Sequence, residues 1–456
     1  MTLSKLTAVS PIDGRYGDKT ESLAQYHSEF ALIRKRLEVE VLYFCKLVNT
    51  IPELIPIRKY EFLSAGIHDL YRNFTLEDAQ AIKAIEKITN HDVKAVEYFL
   101  KEKLAEAGLE EYIEFVHFGL TSEDVDSPSR TSNLALSVKK EIIPLLESFL
   151  VQMTDLAKSW LHVPVLARTH GQPASPTIVG KELAVIIARI KSELSVLKNV
   201  RLSAKFGGAT GNFNALYLSH PTMDWDLFAQ EFLQQFNFYR DYPTTQIQHF
   251  DSFAEMFDSL KRICGILSDC SIDFWLYISR DYFKQKIKKG EVGSSAMPHK
   301  VNPLDFENAE GNLDLAISLF ESIARKIQRS REQRDLSLST VLRNVGVPLG
   351  YMMIAIKSLA KGFGKLILNE EKINSELDAN WAVVSEALQT ILRQCKYPQP
   401  YETLKDLTRN NEKITQESIH QFIDRLHIDD DIKEKMKTIT PYNYTGIPYV
   451  FPKDKD

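Results

Sequence analysis

Apolar residues at helical spacing dominate the middle of the chain. Between residues 253 and 280 they fall at Phe253, Met256, Phe257, Leu260, Ile263, Leu267, Phe274 and Ile278. Steps of three, four and seven place them on one face of an α-helix. The stretch has no proline and a single glycine, Gly265. It therefore predicts a helix of about 30 residues, well beyond the usual globular length. The same period runs through residues 132–160, 179–202, 306–327 and 349–365. Pro144 predicts a kink in the first of these, because its ring removes an N–H and crowds the preceding turn. Five long helices in succession imply an elongated bundle. In "LAVIIARI" and "LGYMMIAI" the apolar residues cover more than one helix face. Such helices are buried on several sides, and one bundle of five offers little cover, so self-association is expected.

The flanks read differently. Residues 1–111 form a mixed helical segment with two proline-marked turns. Residues 112–364 hold the long helices, and residues 365–456 carry shorter amphipathic ones, such as 371–394. The tail "TPYNYTGIPYVFPKDKD" is rich in proline and tyrosine and is expected to wrap a surface. The expectation is an all-α chain of three helical domains with these boundaries.

Composition narrows the function classes. The chain has 456 residues, enough to bury a large core without disulfides or metals. Its net charge of −5 argues against a dedicated nucleic-acid surface. An anionic ligand remains compatible, since local cations decide that. Cys45, Cys264, Cys270 and Cys395 form no C-x-x-C pair and are expected to be reduced, buried thiols. No apolar run is expected to reach the length of a membrane span. The N-terminus lacks the continuous apolar region of a secretory signal, so a cytoplasmic protein with no membrane partner is expected.

Four connections between helices are rich in ligand-type side chains: "TNHD" (89–92), "LTSED" (120–124), "ARTHGQPASP" (167–176) and "GSSAMPHKVNP" (293–303). "DGRYGD" (13–18) is a fifth. Each has a plain structural reading. Asn90 suits an N-cap for a helix over 92–104, and Thr121 or Ser122 suits the next. "KQKIKKG" (284–290) reads as a solvated helix end. "GGATGN" (207–212) reads as a sharp turn between antiparallel helices and lacks the lysine of a phosphate-binding loop. No H-E-x-x-H, no Cys/His cluster at ligand spacing and no G-x-S-x-G elbow occurs, so neither metal binding nor serine nucleophile chemistry is indicated.

As a set, the loops point elsewhere. "GSSAMPHKVNP" resembles the signature loop of the fumarase/aspartase superfamily, Gly-Ser-Ser-x-Met-Pro-x-Lys-x-Asn. His299 before the lysine, "SPIDGRYGD", "TNHDVKAVEYFL", "RTHGQPASP" and "RDLSLSTVLRN" resemble its adenylosuccinate lyase branch, nearest to bacterial members with Asp-Gly-Arg-Tyr near the N-terminus. The matching segments run in order from Ser10 to Asn344.

The resemblance implies a central five-helix bundle flanked by two smaller helical domains. It also implies a homotetramer with a twenty-helix core and sites shared between chains. The implied reaction is β-elimination of fumarate from adenylosuccinate, giving AMP, and from succinyl-aminoimidazole carboxamide ribotide, giving aminoimidazole carboxamide ribotide. No metal or organic cofactor is implied.

By the same resemblance His170 is the general acid and Ser294 the general base. A serine hydroxyl is a weak base at its free pKa, so its alkoxide needs stabilisation. Backbone N–H groups of the loop, Lys300 and the helix start after Pro303 are the available donors. Lys300 and Asn302 also suit the substrate carboxylate, and Gly290 and Gly293 suit hinges that close the loop. Arg15, Tyr16, Arg334, Ser339 and Arg343 match positions for the phosphate and ribose, where an arginine fork binds phosphate bidentately. Asn90, His91, Asp92, Thr121, Ser122 and Gln246 match substrate contacts, and Ser295, Asn308 and Thr340 complete the binding set. His91 is open between contacting the phosphate and orienting His170.

One departure follows "TSED", where the chain reads "VDSPSRTSN". Pro128 is placed in a first helical turn, where proline is tolerated. Two other readings are possible. One is another fumarate-releasing lyase such as argininosuccinate lyase, against which His299 and the Arg15–Tyr16 pair count. The other is a catalytically silent helical scaffold, which is expected to have lost Ser294, His170 or Lys300.

Overall fold

A computed structural model describes residues 4–53, 66–286, 301–408 and 414–452. Among them helices dominate, joined by turns and loops and by four two-stranded ladders of two or three residues per strand. The fold is all-α, as the periodicity predicts. The longest helix, Asp251–Ser279, has 29 residues. Val179–Asn199, Leu304–Ile327 and Gly346–Phe363 occupy the other periodic segments. The irregularity expected at Pro144 takes the form of a change in helix type. Ser122–Ser137 leads through a π turn, Val138–Ile142, into Ile143–Ser159. Pro144 has no N–H for the carbonyl four residues back, and a wider turn just upstream absorbs that loss.

Contacts group the residues into two compact units. One comprises Met1–Leu146, Ser192–Gly265 and Gly311–Lys357; the other comprises Glu147–Lys191, Ile266–Glu310 and Ser358–Asp456. Each boundary falls inside a long helix, so both units are discontinuous in sequence. In the first, Ile33, Leu37, Val41 and Phe44 of helix Glu29–Thr50 pack with Val96, Phe99 and Leu100 of helix Asp92–Glu106. In the second, Val384, Leu388, Leu392, Ile419, Ile423 and Met436 join the C-terminal helices into a core. Phe274, Phe306 and Phe363 form an aromatic cluster with centroids 4.6–6.2 Å apart.

Several local expectations change. Contrary to the expectation that no apolar run reaches the length of a membrane span, the stretch Leu336–Phe363 is long and apolar enough to cross a membrane. It is two helices, Leu336–Leu342 and Gly346–Phe363, and more than half of it is buried inside the protein. A core helix has that same composition. Leu349, Met352, Met353, Ile354, Ala355 and Ile356 are all buried within the single chain. In this helix the chain itself covers the all-round apolar pattern, whereas Val151, Val185, Ile272 and Leu315 on the other long helices are exposed.

Lys284 belongs to a strand, Phe283–Gln285, paired antiparallel with Leu366–Leu368, rather than to a helix end. "GGATGN" follows the strand Ser203–Ala204 and precedes the short helix Asn214–Ser219, so it does not join antiparallel helices. The segment 371–394 is three pieces, Glu370–Asp378, the 3₁₀ turn Trp381–Val384 and Ser385–Gln394. Asn380 ends the first by donating its side-chain N–H to the Glu376 carbonyl, 2.7 Å away. Cys45, Cys264 and Cys270 are buried free thiols, whereas Cys395 is half-buried.

Candidate active site

Two short segments set the first wall of the site. Helix Leu76–Thr89 ends at Asn90, whose φ of 53° is left-handed. Asparagine tolerates that conformation and closes helices there. Asn90 is thus the C-cap of one helix, not the N-cap of the next. The N-cap of Asp92–Glu106 is His91, whose Nδ1 accepts the Lys94 N–H at 3.1 Å. With Nδ1 occupied as an acceptor, the neutral ring carries its proton on Nε2 and presents that N–H as a donor.

Asp92 opens the helix. Its Oδ1 accepts the Val93 N–H at 2.9 Å. Its Oδ2 accepts from Arg36 Nη2 at 2.7 Å and from Arg343 Nη2 at 3.4 Å. Burial works to raise the Asp92 pKa, but the charge and hydrogen bond of Arg36, the Val93 N–H and Arg343 outweigh it and hold it at about 2.

The second wall is the start of helix Ser122–Ser137. Thr121 donates its N–H to Asp124 Oδ2 at 2.9 Å. The other Asp124 oxygen accepts from Lys205 Nζ at 2.7 Å and the Gly207 N–H at 2.8 Å. Lys205 and Asp124 are completely buried. Pro128 is the seventh residue of this helix, past the first turn in which the sequence placed it. The Thr121–Ser122 turn is intact nonetheless, because Asp124 rather than the residues around Pro128 fixes it.

The third wall comes from residues 330–345. Asp335 caps the helix Leu336–Leu342, its Oδ1 accepting the Ser337 N–H at 2.7 Å. Gln333 Oε1 accepts the Gln246 N–H at 3.1 Å, and Gln246 Nε2 donates to the Ala209 carbonyl at 2.9 Å.

These walls enclose a cavity of about 560 Å³ within the first compact unit, a size typical of small-molecule sites. Eight of the residues expected from sequence line it: Asn90, His91, Asp92, Ser122, Gln246, Arg334, Ser339 and Arg343. Thr121 adjoins Ser122 but does not line the cavity, and Thr340, next to Ser339, is exposed. Arg15 and Tyr16 lie in the same unit, away from the cavity lining, with the guanidinium 5.9 Å from the Tyr16 ring centre. The turn before them needs Gly14, since a Cβ there would stand 2.9 Å from the Lys5 carbonyl oxygen.

His170 and Asn308 belong to the second unit, as does Asn302. Asn308 Oδ1 accepts from Ser358 Oγ at 2.8 Å. His170 is exposed at the tip of a hairpin, Arg168–Thr169 against Gln172–Pro173. His170 and Gly171, with φ of 52° and 76°, make the two-residue turn whose twist suits such a hairpin. Arg168 braces it, donating to the Gly171 carbonyl at 3.1 Å and to Glu376 at 2.6 Å. Burial and the same Glu376 push the Tyr282 hydroxyl up to about 12. Ser294, Ser295 and Lys300 lie outside the described residues, as do Gly290, Gly293 and His299.

Sequence reasoning missed Glu86, Asp126, Arg130 and Asp335 in the cavity wall, and Arg36 and Glu123 behind it. Arg36 and Glu123 are each 1% exposed and Asp126 is 2%. Burial pushes the Glu123 carboxyl up, with Arg130 opposing. Burial acts the same way on Asp126, but Arg130 and Arg36 prevail and hold it below the usual range. A signal existed for Arg36. It falls at helical spacing with Tyr43 and Leu47 on a buried face, where a lone charge needs a partner.

The family described as "Lyase" matches residues 14–315, and the family described as "Adenylosuccinate lyase C-terminal" matches residues 330–445. The chain is 50% identical to an adenylosuccinate lyase of Dictyostelium discoideum, over 98% of this chain and 97% of that one. It is 44% identical to the adenylosuccinate lyase of Escherichia coli strain K12, over 98% of both chains. Among solved structures, a fumarate lyase from Mesorhizobium sp. BNC1 superposes with a TM-score of 0.74 at 17% identity, over 93% of this chain and 95% of that one. The 3-carboxy-cis,cis-muconate lactonizing enzyme of Pseudomonas putida gives 0.73 at 18% identity, over 93% and 94%. These two carry the fold alone.

Proposed function

The chain belongs to the adenylosuccinate lyase family, and on that premise we propose that it is a C–N lyase releasing fumarate from adenylosuccinate to give AMP. The same elimination on succinyl-aminoimidazole carboxamide ribotide gives aminoimidazole carboxamide ribotide. The observation that carries this reading is the convergence of eight polar and charged side chains on one cavity. Argininosuccinate lyase and a silent scaffold are not favoured by relatives of this identity and coverage.

The chemistry follows from the residues. A base takes the proton from the succinyl carbon beside the carboxylate, and the electrons of that C–H bond delocalise into an aci-carboxylate. They then form the C=C bond of fumarate as the C–N bond breaks, and an acid protonates the departing nitrogen. We assign the base to Ser294 and the acid to His170. The hairpin turn projects His170 into solvent, where a substrate nitrogen has access. Arg334 and Arg343 would take the phosphate, and His91 Nε2–H would donate to the same anionic end. The enzyme is proposed to be cytoplasmic and a homotetramer, the latter supported by the family resemblance and by apolar residues left exposed on the long helices.

Purified protein mixed with adenylosuccinate should change the ultraviolet absorbance of the purine as AMP forms. No change, with a change on argininosuccinate, would replace this reading. Arg343→Ala should raise KM about tenfold or more, the scale of a lost charge-assisted hydrogen bond. Its kcat should fall less, because phosphate is held alike in ground and transition states. A large fall in kcat at constant KM would move Arg343 to the reacting end.

A further inference from the structure

Arg343 and Arg334 are joined by one continuous run of ion pairs, which extends beyond Arg343 to Glu29, 3.2 Å away, and on to Lys83. Arg343 reaches Asp92 at 3.4 Å, and Asp92 accepts from Arg36 at 2.7 Å. Arg36 Nε donates to Asp126 Oδ1 at 2.6 Å. The other Asp126 oxygen accepts from Arg130 Nη2 at 2.7 Å. Arg130 Nη1 stands 3.3 Å from Glu123 Oε1, and Glu123 Oε2 is 3.7 Å from Arg334 Nη2. Charge alternates at every link. The interior members come from three helices: Arg36 on Glu29–Thr50, Asp92 on Asp92–Glu106, and Glu123, Asp126 and Arg130 on Ser122–Ser137.

Arg36 and Glu123 do not line the cavity, so neither touches what binds there. Arg36 uses different nitrogens of one planar fork to hold carboxylates from two separate helices, a geometry that a lysine point charge cannot reproduce. Stability alone is a weak reason for such an arrangement. Buried ion pairs often contribute no more than well-packed apolar residues of the same volume.

We propose that Arg36 and Glu123 are positioning residues that fix the separation and aim of Arg334 and Arg343, so that both meet one phosphate. Arg36 acts through Asp92 on Arg343, and Glu123 acts directly on Arg334. This rests on the reading that Arg334 and Arg343 take the phosphate.

The test compares two variants in steady-state kinetics with adenylosuccinate and in competitive inhibition by inorganic phosphate. Arg36→Lys keeps the charge and loses the fork. KM and the phosphate inhibition constant should rise together, about three- to thirtyfold for members of one network, with kcat within about twofold. Glu123→Gln keeps the shape and removes a negative charge near the anion. A simple field effect would tighten phosphate; loss of the Arg334 anchor should weaken it, again raising KM and the inhibition constant together. The opposite sign for Glu123→Gln, or no change in either constant for Arg36→Lys, overturns the proposal. Glu123→Gln stands as the decisive variant if Arg36→Lys fails to fold. Arg334→Ala and Arg343→Ala separate the two levels. If both weaken phosphate inhibition while the positioning variants do not, only this inference fails. If neither does, the phosphate reading itself fails.

Discussion

Removing the acid or the base should lower kcat by about two orders of magnitude or more, the usual scale for a positioned proton-transfer group. The variants are His170→Asn and Ser294→Ala. Asparagine is the better replacement at 170 because φ there is 52°. It tolerates the left-handed region, whereas alanine would add backbone strain to the loss of the imidazole. His170 is exposed, so its removal empties no core and the thermal midpoint should stay near that of the parent protein. Near-normal turnover by either variant would end that residue's assignment. The same two proteins test the assembly. In a homotetramer with shared sites, a complete site takes His170 from one chain and Ser294 from another. After dissociation, mixing and reassembly, roughly one quarter of sites should then be whole in a closed symmetric assembly. Parent protein taken through the same steps should recover fully. Its recovery beside a mixture that stays inactive would rule out shared sites.

Asp124→Ala should produce the largest loss of stability, about 3–5 kcal/mol, because it strands a buried ammonium. Lys205 is completely buried, and Asp124 is its carboxylate partner. The same carboxylate also accepts from Thr121 at 2.9 Å, Gly207 at 2.8 Å and Gly208 at 3.1 Å. Lys205→Met should cost clearly less. It removes one charge but leaves Asp124 with those three backbone donors, each making a charge-assisted hydrogen bond. Chemical unfolding midpoints of the two variants decide the matter. Equal losses, or a greater loss from Lys205→Met, would show that Asp124 is not the organising member. Because Asp124 also fixes the turn at Thr121 and Ser122, the alanine variant that remains folded should bind substrate more weakly as well.

The long helices were legible because their signal is local. The period of Phe253, Phe257, Leu260, Ile263 and Leu267 states which face is apolar without reference to the rest of the chain, and helix Asp251–Ser279 agrees with it. The family was legible because a run such as Gly293 to Pro303 is a linear pattern. Eight of the residues expected from such patterns line one cavity.

What failed was competition between two local roles of comparable energy. Asn90 suits either end of a helix, and only the actual chain path made it a C-cap and passed the N-cap to His91. "ARTHGQPASP" reads as a connection between helices, but the pairing of Arg168–Thr169 with Gln172–Pro173 makes it a hairpin that turns on the left-handed His170 and Gly171.

The sequence by itself determined the long helices, the family and eight of the side chains that line one cavity. It did not reveal that Arg36, Asp126, Arg130 and Glu123 form one charge chain, or that Lys205 meets Asp124. Arg36 lies 90 residues from Asp126 and Lys205 lies 81 from Asp124, and each looks like an ordinary surface charge until packed helices remove it from water. Burial is what makes their pairing obligatory, and burial is a property of the tertiary structure alone.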